Sequence, residues 1–101
     1  MQNWWNTVKV TVVGLVTPHV LRVVDLARQA ESGVNVDWHL RDAVSKTVEA
    51  LGQQYNAPEL LAAYAHGLAT AAQDAGKGRL AYAGALTSAA SQAARHLEAR
   101  G

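Results

Sequence analysis

Tyr55-Asn56-Ala57-Pro58-Glu59-Leu60 carries the signals of a helix start, and the fold is read outward from it. Asn56 is a good N-cap residue, and Glu59 follows three positions later, as in a capping box. Tyr55 and Leu60 occupy the positions of a hydrophobic staple. Pro58 is tolerated in a first turn, because the N–H it lacks would find no partner within the helix. The predicted helix runs from Ala57 to near Ala75, where Gly76-Lys77-Gly78 supplies a left-handed end. At about 100° per residue its faces separate. Leu60, Leu61, Tyr64, Leu68, Ala71, Ala72 and Ala75 fall on one side, with Glu59, Ala62, His66, Thr70 and Gln73 opposite.

Downstream, Arg79 to Ala99 reads as a further helix. Tyr82, Ala83, Leu86, Ala90, Ala93 and Leu97 form its apolar face, and Ser88, Ser91, Gln92, Arg95 and Glu98 lie opposite. Ala81, Ala85, Ala89 and Ala93 make a second, oblique stripe at i, i+4 spacing. Such a stripe serves either intrachain packing or a partner, and it is carried here as an interface candidate.

Upstream, Asp37 to Tyr55 places Leu40, Val44, Val48, Leu51 and Tyr55 on one helical face. Asp37–Arg41 and Asp42–Lys46 are i, i+4 pairs with the acid on the favourable N-terminal side. Thr17-Pro18 reads as an N-cap followed by Pro at the first helical position, with a helix running to Ser32 and stopping at Gly33. Residues 3–17 admit two readings. Val8, Val10 and Val12 alternate with Thr7, Lys9 and Thr11 like a strand, while Trp5, Val8, Val12, Leu15 and Val16 fit one helix face. No other segment reads as a strand, and a lone strand cannot satisfy its backbone inside a monomer. Helix is therefore favoured, continuous with the next through a kink at Pro18; the alternative is a strand paired with a second copy. The whole reads as an all-α, four-helix single domain over residues 1–101.

Composition agrees with a packed domain. The chain has 101 residues, of which 50% are hydrophobic and 17% charged, with a net charge of +1. All twelve Val lie at or before Val48, and sixteen of the twenty Ala lie from Ala57 onward, so bulky and small packing surfaces are segregated. So small a charge gives no field to draw in nucleic acid or anionic lipid. The absence of Cys excludes disulfides, Cys-ligated zinc and a thiol nucleophile. The longest apolar run, Val10 to Leu21, is too short to span a bilayer and is interrupted by Pro18 and His19. The start, Met1-Gln2-Asn3-Trp4-Trp5, carries no basic side chain of the kind a signal peptide would want. A cytoplasmic location is expected, and the small, Ala-rich chain suggests a bacterial source.

Few residues in the chain carry the signs of chemistry. His19, His39, His66 and His96 are far apart in sequence, with no HExxH pattern or short-spaced ligand set. There is no GxSxG nucleophile elbow, and Gly76-Lys77-Gly78 lacks the spacing and following hydroxyl of a P-loop. No catalytic residue, metal or cofactor is expected. Trp4 and Trp5 are candidates for an interface anchor, since Trp is enriched at binding hot spots.

Two resemblances add alternatives. Ala65-His66-Gly67-Leu68, with Gly76 and Leu80 beyond, resembles histidine-containing phosphotransfer domains, which are small four-helix bundles. The resemblance implies His66 as phosphoacceptor, although Ala69 and Thr70 stand where that family has Lys and Gly. Val8-Lys9-Val10-Thr11-Val12, then Gly33 to Asp37 and Leu40 to Val44, resembles the ribbon, turn and second helix of ribbon-helix-helix DNA-binding proteins. It implies strand-paired dimers with Lys9 and Thr11 entering a major groove. Trp38-His39 departs from that pattern. The leading expectation is a non-enzymatic regulator that binds another protein through its helices. Self-association as a homodimer is expected too, because about a hundred residues leave a limited core. Nucleic acid and membranes are not expected partners.

Overall fold

The computed structural model describes the backbone of residues 3–75 and 80–100, and the side chains of residues 12–75 and 81–99. It is an all-α bundle of four helices: α1 (Asn3–Ala30), α2 (Asp37–Gly52), α3 (Ala57–Asp74) and α4 (Leu80–Arg100). No strand occurs among the described residues. Each helix touches the other three, and α3 with α4 forms the most extensive pair.

The helical reading of residues 3–17 holds, and the intermolecular strand is corrected. Helical spacing turns Val12, Val16, Val20, Val23, Val24 and Ala27 toward the other helices, a face that strand alternation would split. The helix start read at Thr17-Pro18 is also corrected, because α1 passes through Pro18 without a break. Pro18 has no N–H for the Gly14 carbonyl. Both residues are exposed, so water can serve that carbonyl. The Thr17 hydroxyl does not cap a new helix; it donates back to the Val13 carbonyl at 2.7 Å.

After Ala30 the chain turns at Gly33, whose φ of +87° lies in the left-handed region open to glycine. The Asn35 side-chain oxygen accepts from the Asp37 N–H at 3.2 Å where α2 begins. Leu40, Val44, Val48 and Leu51 are buried as the spacing predicts. Tyr55 is not. α2 ends at Gly52, so the helical register never reaches Tyr55, which is 98% exposed and neither extends the α2 face nor staples α3. Asp42 and Lys46 pair at 3.0 Å.

α3 starts at Ala57 as expected, but Asn56 makes no side-chain cap. Pro58 in the first turn and the Leu60 N–H donating to the Asn56 carbonyl at 3.1 Å define the start instead. The two faces of α3 separate as read: Leu60, Leu61, Tyr64 and Leu68 are buried, while Glu59, Ala62, His66, Thr70 and Gln73 are exposed. At Gly67 the helix meets α1 so closely that an added Cβ would lie 2.9 Å from Val20 Cγ2. The centre of the core is Val23, Val44, Leu61, Tyr64, Leu68 and Leu86, all essentially inaccessible. Each aliphatic member contributes about 1.5–3 kcal/mol through burial.

Candidate interaction surface

The residues singled out in the sequence do not converge on one place. Trp4, Trp5, Lys9 and Thr11 lie on the helical backbone of α1, with side chains outside the described residues. The DNA-reading alternative needs a strand at residues 8–12, and these residues are helical. His66 projects from the exposed face of α3. The Ala stripe on α4 requires correction. Ala85, Ala89 and Ala93 are buried in the core, and only Ala81 of the four is exposed. The buried face of α4, through Tyr82, Ala85, Leu86, Ala89 and Ala93, is rotated by roughly 50° from the one read in the sequence, at 3.6 residues per turn.

Two polar contacts fix that rotation. The Glu31 carboxylate, just past α1, accepts from the Tyr82 N–H at 3.0 Å and satisfies a donor in the first turn of α4. Farther along, the Gln92 side-chain amide donates to the Arg41 carbonyl at 3.1 Å and the Ser45 hydroxyl at 3.0 Å. α4 is thereby drawn onto α2, and its small residues become the contact.

The same arrangement leaves a groove beside the contact. One wall is α4; the other is the turn at residues 33–36 and the first turns of α2. Its upper part, about 450 Å³, is lined by Val34, Asn35, Ala81, Gly84, Ala85 and Ser88 among others. Its lower part, about 390 Å³, is lined by Arg41, Thr87, Ser88, Ser91, Gln92 and Arg95 among others. The two parts share Asp37 and Ser88, so the groove is continuous. The buried side chains of Val36, Leu40, Ala85 and Ala89 give it an apolar floor. Val34, 49% exposed, lines one edge. Trp38, 70% exposed, shares an α2 face with Arg41 and Ser45 at i, i+3, i+7 spacing. Its ring meets that of His39 edge to face, with centroids 5.7 Å apart.

Sequence reading missed this surface. Nothing in the sequence brings residues 33–41 beside residues 81–95.

No group of three or more His, Asp or Glu that could hold a metal occurs among the described residues. Burial pushes the Tyr64 phenol above its ordinary pKa of 10.0, while the Thr47 side chain and the charge of Arg22 pull less strongly the other way. The Tyr64 hydroxyl lies near Thr47 without a partner at full hydrogen-bond geometry. No described helix is long and apolar enough to cross a membrane. No protein-family model matches the chain, and no curated protein or solved structure is significantly similar to it.

Proposed function

We propose that the protein is a non-enzymatic regulatory module that binds another protein through the groove between α2 and α4, in the manner of a small inhibitor, antiactivator or adaptor. The observation that carries this reading is the groove itself. It combines a floor of buried apolar side chains, small side chains along α4 and the exposed Val34 at one edge. Small residues let a second helix approach closely. The earlier candidates change accordingly. Ala81 stays in the proposed surface, and Ala85 and Ala89 contribute to its floor. Ala93 packs in the core.

The test is site-specific photocrosslinking in the native host, with the crosslinker at Ser88 in the groove or at Ala62 on the exposed face of α3. A defined protein adduct from Ser88 and none from Ala62 is expected. Equal adducts from both positions, or none from Ser88, would remove the groove from the proposal. Filling the groove by Gly84→Arg should abolish the Ser88 adduct without unfolding the chain, since an added Cβ at Gly84 meets nothing within 4 Å.

A further inference from the structure

The groove has a charge pattern as well as a shape. Arg41 and Arg95 both line its lower part, and neither has an ion-pair partner among the described residues. Arg28, by contrast, lies 3.6 Å from Asp25, and Lys46 is paired with Asp42; Arg22 on α1 is likewise without an ion pair among the described residues. The hydroxyls of Thr87, Ser88 and Ser91 line the same stretch as the free guanidiniums. The single carboxylate in the groove, Asp37, is the first residue of α2, where the positive end of the helix dipole offsets its charge. The upper part carries no other charge. The groove therefore changes along its length from small and of mixed polarity to cationic and hydrogen-bonding.

We infer that its occupant is an acidic amphipathic helix of a partner protein. This rests on the reading of the groove as a protein-binding surface. The stretch of α4 from Ala81 to Arg95 is about 21 Å long at 1.5 Å per residue, enough to lie against four helical turns. Small apolar side chains of the partner sit over Ala81, Gly84 and Ala85. Asp or Glu residues toward one end meet Arg41 and Arg95, whose planar guanidiniums suit carboxylates. A basic helix would bring like charge to that end and is disfavoured.

The test titrates the intact chain with three lactam-bridged helical peptides, each of about fourteen residues and four turns. They share one Ala/Leu face and differ at two positions near one end, which carry Glu, Lys or Gln. Amide chemical shifts locate each peptide, and titration gives its affinity. The Glu peptide should move the amides of Ala81, Gly84, Ser88 and Gln92 and bind about ten-fold more tightly than the Lys peptide, as two exposed ion pairs allow. Added salt should shrink that preference, and the Arg41→Glu/Arg95→Glu double variant should reverse it. Equal affinity of the Glu and Lys peptides in the groove would overturn the acidic partner and leave the groove as a docking surface. No groove shifts with any of the three would overturn both. A dimer seen by light scattering that dissociates with Gly84→Arg would assign the groove to a second copy and also overturn the inference.

Discussion

Gly67→Ala tests the tightest contact between α1 and α3. In an exposed helix the change would be favourable, because Gly is about 1 kcal/mol worse than Ala in a helix interior. Here the new Cβ would stand 2.9 Å from Val20 Cγ2, with Val20 Cβ and Cγ1 both at 3.8 Å. Ordinary contact begins near 3.4 Å, so one methyl must retreat by roughly half an ångström or more. Val has a single side-chain torsion and one strongly preferred helical rotamer, so it cannot swing one methyl aside alone. The helices must shift, and overpacking of this kind costs about 1–3 kcal/mol. Set against the helix gain, the net expected loss is about 1 kcal/mol, or roughly 4–8 °C in Tm for a domain of this size. The deciding measurement is a double-mutant cycle by urea and thermal denaturation. Val20→Ala removes both methyls, so Gly67→Ala in that background should stabilise by about 1 kcal/mol. The change in sign is the signature of the clash. Stabilisation by Gly67→Ala in the natural chain, or no coupling with Val20, would refute the close approach of α1 and α3.

Four further outcomes are expected. Tyr64→Phe should be neutral or stabilise by up to about 1 kcal/mol, because the hydroxyl is buried without a full hydrogen bond. The raised pKa of Tyr64 means that folding favours the protonated phenol, so its stabilisation is complete below pH 10.0 and lost as pH rises above it. Tyr64→Phe should therefore reduce the fall in unfolding free energy above that pH. Ala85→Leu should destabilise by about 1–3 kcal/mol in thermal melts, because most of the Ala85 side chain packs in the core beneath the groove; an unchanged melt would show that it does not pack there. Asn56→Ala, which loss of a capping bond would make costly by about 1 kcal/mol, should be close to neutral since that bond is not made. His66→Gln should leave partner binding and host function intact. Acid-labile phosphate on His66, found after incubation with a phosphorylated response regulator, would contradict this and revive phosphotransfer.

The sequence by itself determined the helices and most of their buried faces. In α3, Leu and Tyr at helical spacing contrast with Glu, His and Gln opposite, and the large difference in transfer free energy makes the inward face unambiguous. The same contrast places Leu40, Val44, Val48 and Leu51 of α2. Residues 3–17 were harder, because Val at alternate positions suits a strand while the same residues also share a helix face. Only the lack of a pairing strand favoured the helix. Local capping chemistry misled at Asn56 and at Thr17, since a residue suited to a cap need not adopt its geometry. α4 shows where sequence reasoning ran out. Ala occurs around most of its circumference, and a methyl buried or exposed changes the free energy too little to mark a face. The rotation of α4 is decided by what it meets: Glu31 at its start, and Arg41 and Ser45 through Gln92. These contacts join residues about fifty positions apart, and together they bury Ala85 and Ala89. The same rotation leaves Gly84 and Ser88 along an open groove. Periodicity tells which residues share a face; only tertiary packing tells which neighbour fills it, and here the unfilled part is the candidate site.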